Sequence, residues 1–379
     1  MKYRTLGKRN EKKVSNLGFG CMRLPVINGE YGNIDKVEST KQIKHSIELG
    51  LNYIDTAYPY HEHTSEDYVG ELLQELNREE INLATKLPSW LIKSREDMDK
   101  YLDIQLEKLK TDYIDFYLLH ALNKNFWKTL KENDVFDFIE KALASGKIKN
   151  IGFSFHDDYD TFEEIIKAYD WDFCQIQMNF FDEEYQAGVK GLKLAGQLGI
   201  GVIIMEPLRG GRLGNNVPDE VLDIYNNTGE KHSPAGWALR YLWNYPEVKL
   251  ILSGMNQIDH INDNINEANN ITPNSLTEME QAAVKEVKHF YKARIQVDCT
   301  NCRYCMPCPH GIHIPANFSF YNNAHIFNAK EHYKTHYYNQ LKPEQLAEAC
   351  VECGECEAKC PQNIQIIEEL KNVKEYFKR

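Results

Sequence analysis

The stretch Tyr113-Ile114-Asp115-Phe116-Tyr117-Leu118-Leu119-His120 is apolar at almost every position and ends on a histidine. A run of that length without polar alternation reads as a parallel strand buried on both faces. Seven other runs share its character: Leu17–Met22, Tyr53–Ala57, Ile81–Leu87, Ile148–Phe155, Phe173–Phe180, Gly201–Leu208 and Val248–Met255. Between them lie segments with apolar residues at helical spacing, among them Lys36–Leu49, Ser65–Leu76, Arg95–Leu109 and Asp134–Ala144. Eight strand–helix units over roughly 250 residues predict an α/β fold of the closed (β/α)8, or TIM-barrel, type rather than an open doubly wound sheet. No Gly-x-Gly-x-x-Gly follows the first strand, which also argues against the open sheet.

In such a barrel, chemistry gathers at the C-terminal ends of the strands. The second run ends in Asp55, with Tyr60 five residues on; the third holds Lys86, the fourth ends in His120 and the fifth near Ser154. A lysine inside an apolar strand is the strongest anomaly, because an unpaired buried ammonium costs several kcal/mol. Asp55 on the neighbouring strand is the obvious partner. Taken singly, Tyr60 reads as packing and His120 as a satisfied core histidine. Together they describe a candidate site at the barrel mouth.

The chain's end has a different composition. Eight of ten cysteines fall within its last 81 residues, as Cys299-x2-Cys302-x2-Cys305-x2-Cys308-Pro309 and Cys350-x2-Cys353-x2-Cys356-x3-Cys360-Pro361. The second run matches the bacterial ferredoxin pattern, in which a thiolate at every third residue wraps three corners of a cubane. Eight thiolates suffice for two [4Fe-4S] clusters. Four-cysteine zinc sites are the alternative, but they usually split into separated pairs rather than triplets followed by Cys-Pro. A disulfide framework fits less well, since no apolar N-terminal segment suggests secretion. In two-cluster ferredoxins the fourth cysteine of each run serves the other cluster. By that rule Cys299, Cys302, Cys305 and Cys360 hold one cluster, and Cys350, Cys353, Cys356 and Cys308 the other. Cys308 breaks the pattern, with two residues before it where three are expected.

At 379 residues the chain can bury one large core and a small satellite. A formal charge of −12 argues against nucleic acid and anionic membranes as partners. No apolar stretch reaches the roughly 20 residues of a spanning helix. Thiolate-rich clusters imply a cytoplasmic, low-oxygen setting. The expected division is a barrel over 1–273, a linker helix over 274–294 and a small ferredoxin-like iron–sulfur domain over 295–379.

The segments Tyr53-Ile54-Asp55-Thr56-Ala57-Tyr58-Pro59-Tyr60, Ala84-Thr85-Lys86 and Leu118-Leu119-His120 resemble the active-site signatures of the aldo-keto reductases. The likeness extends to a hairpin-like start (Tyr3–Leu6, then Leu17–Leu24), to Gln177-x-Asn179 and to Glu206-Pro207-Leu208. With its cysteine-rich tail the chain is similar to the iron–sulfur branch of that family. The resemblance implies Tyr60 as acid/base, Lys86 as the cation that lowers its pKa, Asp55 as the anchor of Lys86, and His120 as the group orienting a carbonyl. It implies NAD(H) or NADP(H) across the barrel mouth. Ser154, Gln177 and Asn179 would then hold the carboxamide, with Phe180 or Phe181 stacked on the ring. Pro207, Leu208, Arg209 and Gly210 would lie at the pyrophosphate, and Gly254, Gln257 and Asn264 on the adenosine side. Members preferring NADPH place Lys or Arg around the positions of Gly254 and His260; this chain has no strong base at either, which leans towards NADH.

Hydride transfer moves two electrons and a cluster moves one, so the two halves need reconciling. The clusters would feed a substrate, gate the barrel or staple a small domain. The expected function is interconversion of a small-molecule carbonyl and alcohol, coupled to or regulated by the clusters, with a ferredoxin or similar carrier as electron partner. The alternative is a redox sensor or electron carrier whose barrel binds nucleotide with little turnover.

Overall fold

The computed structural model describes residues 1–299, 301, 303–360 and 362–379. Tyr3–Leu6 (β1) and Lys12–Ser15 (β2) form an antiparallel pair, with Tyr3 opposite Ser15. Eight parallel strands follow: Leu17–Gly20 (β3), Tyr53–Asp55 (β4), Asn82–Leu87 (β5), Ile114–Leu122 (β6), Ile148–Phe155 (β7), Phe173–Gln177 (β8), Gly201–Met205 (β9) and Val248–Ser253 (β10). They close in sequence order, with β10 bonded to β3. This is the expected (β/α)8 barrel. The hairpin differs from its expectation, because its second arm is β2 and Leu17–Gly20 is already a barrel strand. Leu6 and Val14 of the hairpin join the apolar cluster inside the barrel.

Two apolar layers explain the continuous runs. Tyr53, Ala84, Phe116, Leu118, Phe173, Ile203, Leu250 and Leu252 fill the barrel interior. Alternate residues such as Leu83, Leu87, Tyr117 and Leu119 pack outward in the larger core. Side chains on a strand alternate in direction, so residues two apart share a face. Tyr53, Ala84 and Phe116 therefore place Asp55, Lys86 and, beyond Leu118, His120 on the inward face. The expected helices end close to their predicted bounds, as Lys36–Glu48, Ser65–Leu73, Arg95–Lys108 and Val135–Ala144. Local chemistry starts them: Asp35 accepts from the Glu38 N–H at 3.0 Å, and Ser94 and Asp97 form a capping box.

The chain divides into two units, 1–215 with 231–281, and 216–230 with 282–379. Nothing in the linear sequence marks 216–230 for the second unit. Its helix Asp219–Asn226 buries Val221 and Tyr225, and Glu220 pairs with Arg294 at 3.1 Å. Three further helices, Ile314–Ile326, Lys330–Gln340 and Ile366–Tyr376, enclose a small core of Ile312, Phe318, Tyr337, Leu370, Val373 and Phe377. Within it Tyr337 donates to Asn317 at 2.9 Å, and Asn317 donates to the carbonyls of His313 and Gln345. Among the described residues no helix is long and apolar enough to cross a membrane.

Close packing inside the barrel rests partly on Gly152 of β7. A Cβ there would stand 2.5 Å from the Phe173 carbonyl oxygen and 2.8 Å from its ring. Overpacking of this kind costs about 1–3 kcal/mol. Gly152→Ala should therefore lower the melting temperature by several degrees in a circular-dichroism melt, and an unchanged melt would contradict the close β7–β8 contact.

Candidate functional site

Lys86 is completely buried on the inward face of β5. Its Nζ donates to Asp55 Oδ1 at 2.8 Å and to the Thr56 carbonyl at 2.7 Å, and it reaches the Tyr60 hydroxyl at 3.4 Å. The neighbour strand thus supplies the expected carboxylate. On the outward side, Gln105 donates to the Lys86 carbonyl at 3.0 Å and to Glu66 at 2.6 Å, while Thr85 donates to Glu66 at 2.6 Å. This second polar cluster braces β5 from behind. It gave no motif in the sequence, because Glu66 and Gln105 sit on helices whose meeting is tertiary.

Tyr60 follows β4 in a turn with unusual backbone. His61, Glu62 and His63 all have positive φ, at 50°, 52° and 74°. Non-glycine residues reach that region only when surroundings hold them there. His61 is the holder. Its Nδ1 lies 2.7 Å from the Tyr31 carbonyl, and its Nε2 accepts from the Leu24 N–H at 3.2 Å, which assigns the Nδ1–H neutral tautomer. Burial also lowers the His61 pKa, in agreement with a neutral ring. The sequence reading missed this residue, although its place directly after Tyr60 was a signal.

His120 lies where the β6–β7 register shifts, between Leu119 and Leu122, and the next residue, Ala121, has φ 52°. Such an irregularity re-aims a side chain. The His120 ring is T-shaped to Tyr60 at 6.3 Å and tilted to Trp90 at 5.2 Å. The Ala121 N–H donates to Ser154 Oγ at 2.7 Å, leaving the serine hydroxyl proton free to point elsewhere.

Electrostatics follow from burial. Desolvation would lower the Lys86 pKa, but Asp55 and then Tyr60 outweigh it and hold the ammonium above its ordinary value. Burial lifts the Asp55 carboxyl, against the pull of Lys86. Burial also pushes the Tyr60 phenol up to about 12, with Lys86 opposing. The sequence reading expected the ammonium to lower Tyr60 below its usual value; the pull exists, but desolvation is larger. His120 is driven well below its ordinary value by burial, then by Lys86 and His156. Near neutrality this describes a protonated phenol, a charged lysine and a neutral imidazole.

These groups open into a cavity of about 460 Å³, a volume typical of small-molecule and cofactor sites. Asp55, Tyr60, His120, Ser154, Pro207, Leu208, Gly210, Gly254 and Asn264 line it, with Lys86 bonded beneath. Gln177, Asn179, Phe180, Phe181, Arg209 and Gln257, all named from the sequence, do not. Gln177 ends β8 outside the lining, and Gln175, which pairs with Ser154 across the strands, takes that level instead. Asn179 spends its side chain on its own loop, donating to Asp182 and the Glu206 carbonyl and accepting from the Phe181 and Asp182 N–H groups. Arg209 packs over Phe181, 4.5 Å from the ring centroid, and pairs with Asp182 at 3.4 Å. Gln257 caps the helix Ile258–Asn269 from an exposed position. Arg23, His156 and Gln175 line the cavity without having been anticipated. Neither Gly254 nor His260 is a Lys or Arg, but the side chain of Arg23, from the loop after β3, lies directly against Gly254.

A nicotinamide group fits these residues. Gln175 is buried, faces the cavity and carries an Oε1 with no hydrogen-bond partner among the described residues, so it can accept from a carboxamide. In the second unit, Cys299, Cys305 and Cys360 line one hollow with Ile314, Pro315 and Phe318. Cys308, Cys350, Cys353 and Cys356 line another with Ile312, Ile367 and Leu370. The described cysteines thus gather in the two groups that the crossed rule names, with Cys308 beside Cys350, Cys353 and Cys356 despite its short spacing. Cys302 lies outside the described residues. Thiolate donors around apolar hollows suit iron–sulfur clusters.

An aldo/keto reductase family model matches residues 16–287, and a 4Fe-4S dicluster domain model matches residues 298–364. A probable aldo-keto reductase 1 of Glycine max is 27% identical over 288 residues, covering 67% of this chain and 80% of its own. The holo form of an aldo-keto reductase of Bacillus halodurans is 25% identical with a TM-score of 0.60, covering 76% of this chain and 96% of that one. An aldo-keto reductase of Klebsiella pneumoniae in complex with NADPH shares the fold at 23% identity and a TM-score of 0.62, over 76% of this chain and 96% of its own. Together with the closed barrel and the buried lysine, these matches show that the chain belongs to the aldo/keto reductase family and joins that oxidoreductase barrel to a C-terminal 4Fe-4S dicluster domain.

Proposed function

We propose that this oxidoreductase interconverts a carbonyl and an alcohol at the barrel mouth, with Tyr60 as the acid/base. The observation that carries the reading is the buried Lys86, which touches both Asp55 and Tyr60. A bound nicotinamide would supply or accept the hydride. The chain's own work is positional and protonic. Tyr60 gives its proton to the carbonyl oxygen in reduction, while the neutral His120 and the Lys86 ammonium favour negative charge developing there. Asp55 keeps Lys86 charged. Ser154 and Gln175 hold the carboxamide, and Asn264 borders the adenosine side. Gln177, Asn179, Arg209 and Gln257 lie further out and have no contact role in this reading.

Two [4Fe-4S] clusters belong to the same proposal, one on Cys299, Cys302, Cys305 and Cys360, the other on Cys308, Cys350, Cys353 and Cys356. They would supply or store single electrons, exchanged with a ferredoxin or similar carrier in the cytoplasm. The proposed division is a barrel over 1–273, a linker helix over 274–294 and a cluster domain over 295–379, with the segment 216–230 grouping with the second unit.

Tyr60→Phe should lower carbonyl-reducing kcat about 100- to 10,000-fold in anaerobic assays of cluster-replete protein with a carbonyl panel. Cluster reduction with no Tyr60-dependent turnover would instead favour the electron-carrier alternative. In reduction, kcat/KM should stay level through neutral and mildly alkaline pH and fall only as Tyr60 deprotonates towards about 12. Oxidation should rise over the same range, and an inflection near 6.5 from His120 should be absent.

Removing one member of the buried pair leaves the other uncompensated. Lys86→Met should cost about 3–5 kcal/mol of stability. Lys86→Met with Asp55→Asn should recover much of that loss in denaturant titrations while remaining inactive. Equal stability of the single and double variants would contradict an energetic coupling of the pair.

Iron and sulfide should each approach about eight per chain, as two four-iron clusters require. Cys308→Ser should lose only the cluster of the second set and leave about four iron. A full complement of iron in that variant would exclude Cys308 as a ligand.

A further inference from the structure

His156 lines the barrel cavity and has no part in the proton and hydride steps proposed above. It stands directly after β7, two residues beyond Ser154, and its N–H donates to the Leu122 carbonyl at 2.9 Å. The ladder that ends β6 and β7, with Leu122 opposite Phe155, therefore fixes its backbone. His120 comes from the same end of the neighbouring β6, so the two imidazoles are neighbours on the ring of strands. Their nearness is electrical as well, since charge on His156 helps to hold the His120 pKa down.

Gln186 governs the ring. Its Nε2 lies 3.3 Å from His156 Nδ1, which assigns Nδ1 as acceptor and makes Nε2–H the donor of the neutral tautomer. Gln186 itself is held in the left-handed region, at φ 56°, where a non-glycine residue stays only when its surroundings keep it. Its Oε1 is buried without a hydrogen-bond partner among the described residues. Packing that leaves this acceptor empty while the amide nitrogen holds the imidazole gains nothing in stability. Desolvation keeps the His156 pKa below its ordinary value, so the ring is neutral near pH 7. Glu206, which pulls that pKa up, is the charge the ring feels.

We propose that His156 determines substrate specificity, donating from Nε2 to a neutral oxygen on the carbon beside the reacting carbonyl. The inference rests on the carbonyl-reduction reading above. Neighbouring strands lie about 4.8 Å apart, so donors at the ends of β6 and β7 are spaced to serve oxygens on adjacent carbons. Tyr60 and His120 take the carbonyl oxygen, and His156 takes the second. The substrate class is that of small α-hydroxy ketones and α-hydroxy aldehydes. A 2-oxo acid is disfavoured, because its carboxylate would face Glu206. Gln186 is a positioning residue that holds the donating tautomer.

Hydroxyacetone and 2-butanone test this, since they match in size and differ by a hydroxyl in place of a methyl. The assays use the cluster-replete full chain, without oxygen, at saturating NADH and, separately, NADPH. Wild type should favour hydroxyacetone in kcat/KM by about tenfold or more, with pyruvate poorer than hydroxyacetone. His156→Leu should lower kcat/KM for hydroxyacetone about tenfold more than for 2-butanone, as one lost hydrogen bond predicts. His156→Gln keeps a donor and should retain more of the preference, and Gln186→Leu should lose a smaller part of it than His156→Leu. Equal losses for the two ketones in His156→Leu, or no loss for either, would overturn the role of His156. So would a wild type that prefers 2-butanone or pyruvate, or that ignores hydroxyacetone while reducing other carbonyls. Failure of wild type to reduce any carbonyl of a panel would overturn the reaction itself, and this proposal with it.

Discussion

A lysine ammonium with no exposure to solvent is the constraint around which the barrel mouth is arranged. Desolvating that charge is affordable only where a carboxylate and further acceptors meet it. Asp55 and the Thr56 carbonyl meet it from the neighbouring strand, and the Tyr60 hydroxyl completes the set. Each demand propagates outward. The carboxylate ends β4, and Tyr60 leads directly into three consecutive left-handed residues, the first of which, His61, is anchored to Leu24 and Tyr31. Behind the strand, Glu66, Thr85 and Gln105 hold the backbone of Lys86 in register. The site is thereby stiff before any ligand contact is considered.

The second unit meets a different constraint. Its apolar core is small, and six of its cysteines pack partly buried against that core. Small domains that lack a sufficient core are commonly held by metals. Here the thiolates converge from two runs some forty residues apart in sequence, with two helices inserted between them. Each hollow draws cysteines from both runs, so neither run forms its site alone. A role in holding the fold and a role in carrying electrons are compatible in such an arrangement.

Legibility in the sequence followed the range of the interaction. Strands declared themselves as apolar runs because both faces are buried, and the helices through spacing and caps. Asp55 ends β4, Lys86 and His120 stand near the ends of β5 and β6, and Tyr60 follows β4, so all four are legible at the strand ends where barrel chemistry concentrates. The cofactor side was harder. Gln175 rather than Gln177 faces the cavity because inter-strand register sets the level, and register has no linear signature. Asn179 carried the right side chain, but its loop consumes every hydrogen bond it makes. Net pKa was misjudged for the same kind of reason: a neighbouring charge can be named from sequence, whereas the depth of burial that outweighs it cannot.

Sequence alone determined the barrel and marked out the Asp–Tyr–Lys–His set and the two cysteine runs, because periodicity, strand ends and ligand spacing are local properties written in consecutive residues. Tertiary structure alone decided which arginine reaches the cavity. Arg23 and Gly254 are more than two hundred residues apart, and only closure of β10 onto β3 lays one against the other. Contact across a closed ring depends on the shape of the whole sheet, and that shape is a property of no single segment.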